Sequence, residues 1–148
     1  MANPIRNNLI IELHVPDFDT VKNFYGILGF APISENPVTA TEPGYLVLKR
    51  HSDEGDTILN FYGGNEKVYQ QAYFKNFPKD TKRGYATEVT IPVVHVDDFY
   101  NEIEPKIKDR IRQSVMDKKD GDTLWRDFRV EDPFGFYLRF TELIDWGQ

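Results

Sequence analysis

The chain has 148 residues, a net charge of −6 and no cysteine, which suits one compact domain or two half-size modules that share a core. Disulfides, thiolate nucleophiles and zinc-thiolate sites are excluded, and the scattered basic residues offer no uncompensated cationic face to nucleic acid. A 40% hydrophobic content with 11 Phe, 8 Tyr and 2 Trp can fill a core, while no run reaches the roughly 20 apolar residues of a membrane span and no apolar leader follows Met1, so a soluble cytoplasmic protein is expected.

Over residues 9–15, Leu9, Ile11, Leu13 and Val15 alternate with Ile10, Glu12 and His14. This predicts a strand with one apolar and one mixed face. Pro16 and Asp17 end it, and Asp17 or Asp19 can cap a following helix by accepting from its free amides. That helix carries Val21, Phe24, Tyr25 and Leu28 as one apolar stripe, and Gly29 suits the left-handed residue that ends it. Further strands are predicted at 30–33, 45–49 and 57–62, separated by turn-rich stretches. The order is β-α-β-β-β, closed by Gly63 and Gly64.

Residues 65–84 hold Tyr69, Tyr73, Phe74 and Phe77 without strand alternation, which predicts a short aromatic helix and then a linker. Those rings would wall a cleft or seal a subunit contact. Residues 86–96 repeat the first strand, with VDDF at 96–99 standing where VPDF stood at 15–18. A helix through Phe99 and Ile103 toward Ile107 should break at Pro105. Strands at 112–117, 123–131 and 136–142 follow, with turns at Asp120, Gly121 and residues 132–135. The fold class is α+β: two βαβββ modules, about 7–64 and about 85–144, joined by a linker over 65–84 within a single domain 1–148.

The run IELHVPD at 11–17, followed by Phe24, Tyr25, Leu28, Gly29 and Phe30, resembles the opening of the glyoxalase, bleomycin-resistance and extradiol-dioxygenase (vicinal oxygen chelate) proteins. RDFRVEDPFGFYLRF at 126–140 resembles their last hairpin, so the two matches bracket nearly the whole chain. The resemblance implies a mixed sheet lining a ligand cleft. It also implies where metal ligands would stand: five residues before the valine ending the first strand of each module, and on each module's last strand. Carried onto this chain, those positions are Ile10, Ile91, Asn60 and Arg139. Two hydrocarbons, a weak neutral donor and a permanent cation do not make a metal site, so no metal and no cofactor are expected. His14 and His95 read as partly exposed strand-end residues rather than a displaced metal pair.

Alternation places Leu9, Ile11, Leu13, Val15, Leu59, Phe61, Val94, Val96, Phe128, Val130, Leu138 and Phe140 under the helices. Ile10, Glu12, His14, Ile58, Asn60, Tyr62, Val89, Ile91, Val93, Arg129, Tyr137 and Arg139 should line the cleft. From these and Trp125, the candidate ligand-binding residues are Glu12, Asn60, Tyr62, Ile91, Trp125, Tyr137 and Arg139. Trp125 and Tyr62 could stack on a planar ligand, and Glu12 could attract a cation. Arg139 is either a fork for a ligand oxyanion or half of an internal ion pair with Glu12 or another acid. The expected function is metal-free small-molecule binding by a homodimer resembling the bleomycin-resistance branch, sequestering a drug or metabolite. The alternatives are a glyoxalase- or dioxygenase-like enzyme with a displaced site, and an interaction module whose cleft is filled by its own side chains.

Overall fold

The computed structural model describes residues 9–53 and 55–145, and the side chains of residues 9–53 and 55–142. The first predicted module begins at residue 7, outside that range. The chain divides into two units, Met1–Thr81 and Lys82–Gln148, and each builds its own four-stranded sheet on the same plan.

In the first unit, β1 (Ile11–Val15) leads into α1 (Phe18–Ile27), then β2 (Ala31–Asn36), β3 (Gly44–Ser52) and β4 (Gly55–Gly63). The sheet order is β1-β4-β3-β2, with β1 parallel to β4 and the other pairs antiparallel. Asp17 caps α1 as its position predicts, accepting from the Asp19 amide at 3.0 Å and the Thr20 hydroxyl at 2.7 Å. The apolar stripe of α1 is buried, and its Tyr25 ring meets Phe61 of β4 edge-on at 5.1 Å. Burying each such ring stabilises the unit by roughly 1.5–3 kcal/mol. Gly63 is required at the end of β4: its φ is +119°, and a Cβ would lie 2.4 Å from the Val15 carbonyl oxygen.

The second unit repeats the plan with β5 (Glu88–Pro92), α2 (Val96–Ile103), β6 (Ile111–Asp120), β7 (Thr123–Glu131) and β8 (Tyr137–Asp145), in the order β5-β8-β7-β6. Its core stacks Phe128 on Phe140 at 5.2 Å, with Phe99 and Tyr100 of α2 against them. The α-helix stops at Ile103, and Pro105 sits in a 3-10 turn over Glu104–Lys106, the break its missing amide predicts. The turn at 132–135 is fixed by Asp132, whose carboxylate accepts from the amides of Phe134 and Phe136. No helix among the described residues is long and apolar enough to cross a membrane.

Three expectations are corrected. Residues 65–84 form two short 3-10 turns, Glu66–Gln70 and Phe74–Asn76, instead of one aromatic helix. The Gln71 side chain accepts from the Tyr73 and Phe74 amides and so interrupts the first turn. The first strand begins at Ile11, so Ile10, 51% exposed, precedes it and Leu9 is 67% exposed rather than packed under the helices.

The third correction is one of register. Glu12 pairs with Asn60, and Thr90 pairs with Arg139, so Val93 and not Val96 corresponds to Val15. Val96 is instead the first residue of α2, entered through His95 in the left-handed conformation. Val89, Ile91 and Val93 therefore belong to the core, at 4%, 0% and 3% exposed, whereas Val94 is exposed at 37%. Ile91 does not face the open side of the sheet, and His95 lies outside the strand.

Candidate functional site

Each sheet buries one face under its helix and turns the other outward. In the first unit the outward face carries Glu12 and His14 from β1, Asn60 and Tyr62 from β4, and Tyr45 from β3, which stand side by side in the ladder. His14 Nε2 lies 2.8 Å from Glu12 Oε1. Its ring is sandwiched between Tyr62 at 4.7 Å and the edge of Phe74 at 4.8 Å. Tyr62 in turn leans on Tyr45 at 5.3 Å. Burial, with Glu12 and Tyr62 nearby, pushes the Tyr45 hydroxyl above its ordinary pKa. Asn60 Oδ1 is buried with no hydrogen-bond partner among the described residues, an arrangement that costs stability unless something else donates to it. Beyond Phe74, the exposed rings of Tyr73 and Phe77 extend the aromatic surface. Ile58 has the parity expected of it but is buried at 2% exposed.

The outward face of the second unit is polar and cross-linked. Arg139 on β8 stands directly opposite Arg129 on β7, and Asp127 opposite Thr141. Asp127 is fully buried, and both of its oxygens accept a hydrogen bond. Oδ1 accepts from Gln113 at 2.7 Å; Oδ2 accepts from the Trp125 indole at 2.9 Å and lies 3.0 Å from Arg139 Nε. Glu88 on β5 bridges both arginines, 3.1 Å from Arg129 and 3.6 Å from Arg139, and keeps 30% of its side chain exposed. The Arg139 guanidinium lies over the Trp125 ring and that of Arg129 over Tyr137. Burial works against the Arg129 charge, but the Tyr137 hydroxyl, Glu88 and Asp127 outweigh it and hold its pKa above the ordinary arginine value.

Of the two readings open for Arg139, the structure shows an internal ion pair, made with Asp127 and Glu88 and not with Glu12. The pairing is incomplete. Among the described residues, Arg129 Nε, Arg139 Nε and Thr141 Oγ1 are buried without a hydrogen bond, Arg139 Nε because its N–H is not aimed at the nearby Asp127 oxygen. At the Glu88 and Tyr137 end, the face opens into a pocket of about 370 Å3, also lined by Lys82, Thr87 and Glu131.

Of the candidate residues, Glu12, Asn60 and Tyr62 share the outward face of the first sheet, and Trp125, Tyr137 and Arg139 share that of the second. Ile91 joins neither. Sequence reasoning missed Asp127, Glu88 and Gln113. Asp127 has the strand parity of Arg129, which was signal enough to find it. Glu88 was hidden by the register: five residues before Val93, it is the true counterpart of Ile10. The positions at which metal-using proteins of the resemblance hold their ligands are thus Ile10 and Asn60 in one unit and Glu88 and Arg139 in the other. In the first unit a hydrocarbon and a neutral amide, and in the second a guanidinium and a carboxylate already tied to two guanidiniums, do not supply the donors a divalent cation needs. Among the described residues, no three His, Asp or Glu side chains gather as a metal site.

No family model and no curated protein matches the chain. Solved structures do. A glyoxalase/bleomycin resistance protein/dioxygenase from Alicyclobacillus acidocaldarius is 17% identical, with 98% of this chain and 96% of that one covered and a TM-score of 0.64. TioX from Micromonospora sp. ML1 is 20% identical over 93% of this chain and 99% of that one, with a TM-score of 0.62. A bleomycin resistance determinant encoded on the transposon Tn5 is 16% identical over 94% and 99%, with a TM-score of 0.54. The chain therefore has the glyoxalase/bleomycin-resistance/dioxygenase fold, an α+β architecture of two similar modules.

Proposed function

We propose that this chain is a metal-free small-molecule binding protein that sequesters its ligand on the outward sheet faces and works as a homodimer. The observation that carries the reading is the Arg129 and Arg139 pair with Asp127 and Glu88. It puts two permanent cations on the sheet face that a metal enzyme of this fold would supply with donor ligands. Aromatic walls with a few fixed polar groups, such as Trp125 beside Asp127 and Tyr62 beside His14, are the ordinary makeup of a small-molecule site. The Tn5 determinant, which shares the fold and is named for bleomycin resistance, makes a drug-sized ligand a natural class to try. The exposed rings of Tyr73, Phe74 and Phe77 support a protein contact at the edge of the first sheet.

A thermal-shift panel of planar anionic, neutral and cationic compounds, run in excess chelator, tests the reading. A ligand at a hundred times its Kd should raise stability by about 2.7 kcal/mol, or Tm by roughly 5–10 °C for a chain of this size. Binding that appears only when a divalent metal is added would sink the proposal. Light scattering reads the homodimer separately.

A further inference from the structure

Resting on the binding reading above, we infer that Glu88 is an internal stand-in for a ligand, and that the second sheet's outward face takes a planar small molecule bearing a carboxylate or similar oxyanion, which displaces it. The two carboxylates on this face are not equivalent. Asp127 is fully buried, accepts from Gln113 and Trp125 and pairs with Arg139 at 3.0 Å, so it is a fixed part of the scaffold. Glu88 is partly exposed, stands at the lip of the pocket and touches the arginines only through their outer nitrogens. One carboxylate bridging two guanidiniums is the geometry an oxyanion ligand would adopt.

The face is also short of acceptors. Among the described residues, the buried Nε–H groups of Arg129 and Arg139 make no hydrogen bond, that of Arg139 lying 3.0 Å from Asp127 Oδ2 without being aimed at it, and the Thr141 hydroxyl beside them is in the same condition. Two guanidinium N–H groups and a hydroxyl on adjacent β7 and β8 positions call for an acceptor; a cation would add nothing they can use. Local charge agrees. Arg129, Arg139 and Lys118, which donates to Gln113 at 2.9 Å, outnumber Asp127 and Glu88, although the whole chain carries a net charge of −6. Trp125 and Tyr137 beneath the guanidiniums offer the flat surfaces that select a planar anion over a free inorganic one.

Benzoate, benzamide and benzamidine, titrated into the full chain, separate the charge classes. Binding is followed by tryptophan fluorescence and by the arginine Nε–H resonances, assigned by their loss in Arg129→Lys and Arg139→Lys. Benzoate should move both resonances, whereas benzamide and benzamidine should not. Glu88→Gln, which keeps the shape, and Glu88→Ala, which opens the space, should each tighten benzoate by about ten- to a hundredfold, because the ligand no longer competes with an internal charged acceptor. If neither Glu88 variant binds benzoate more tightly than the natural chain, or if benzamide moves the resonances equally, the inference is overturned. Chelator-resistant binding of benzamidine in place of benzoate would overturn it while leaving the binding reading intact.

Discussion

Replacing Asp127 by Asn changes one atom at the most constrained point of the second sheet. The carboxylate is fully buried, accepts from Gln113 and Trp125, and faces Arg139 at 3.0 Å. Asn retains one acceptor oxygen, which must stay on the Trp125 and Arg139 side, because three donors converge there if Arg129 at 3.8 Å is counted. The new amide donor then meets the Gln113 amide, and Gln113 cannot turn over without losing its bond from Lys118. Breaking a buried ion pair costs roughly 3–5 kcal/mol. Because Arg139 and Arg129 keep 21% and 23% of their side chains exposed and Glu88 still faces both, the lower end applies. The expected loss is about 3 kcal/mol in urea unfolding, equivalent to a Tm lower by roughly 6–12 °C. Adding Arg139→Met should cost less in the Asp127→Asn background than in the natural chain, with a coupling of about 1–3 kcal/mol. A single variant within about 0.5 kcal/mol of the natural chain, or strict additivity in the cycle, would refute the reasoning.

Other outcomes follow from the fold itself. Phe61→Ala should lose about 3–5 kcal/mol in urea unfolding, since Phe61 is completely buried against Tyr25. Gly63→Ala should lose more than about 2 kcal/mol, because the φ of +119° and the Val15 carbonyl at 2.4 Å both reject a Cβ. Asp17 is held below its ordinary pKa of 3.8, chiefly by the Thr20 hydroxyl and also by the amides at the start of α1. Its stabilisation is therefore fully present above that value and is lost as pH falls through the lower folded pKa. Asp17→Asn should flatten stability below pH 3.8 relative to the natural chain, and Asp17→Ala should cost about 1 kcal/mol at neutral pH.

How far the fold can be read from sequence depends on the distance over which each signal acts. The cap at Asp17, the stripe Val21, Phe24, Tyr25 and Leu28, and the break at Pro105 are local, and each appears where expected. The strand-end motif misled because the same residue pattern serves two structures. In VPDF the valine closes β1, whereas in VDDF it opens α2. There His95 adopts a left-handed conformation and Glu142 from β8 accepts the Val96 amide, contacts that no local pattern encodes. The resulting three-residue offset sent Ile91 to the wrong face and concealed Glu88. Arg139 stood out in the sequence, but its partner Asp127 is a diagonal neighbour across β7 and β8, fixed by strand register and not by proximity in the chain.

The most direct test of metal-free binding is calorimetric titration of the chelator-treated chain with nickel, zinc and ferrous iron, alongside metal analysis of the protein as purified. Because the first unit offers Ile10 and Asn60 and the second Glu88 and Arg139 at the positions of interest, no saturable one-to-one uptake should appear with any of the three ions, and the purified protein should carry no stoichiometric metal. One tightly bound ion per chain, whose release abolishes ligand binding or a turnover reaction, would contradict the account.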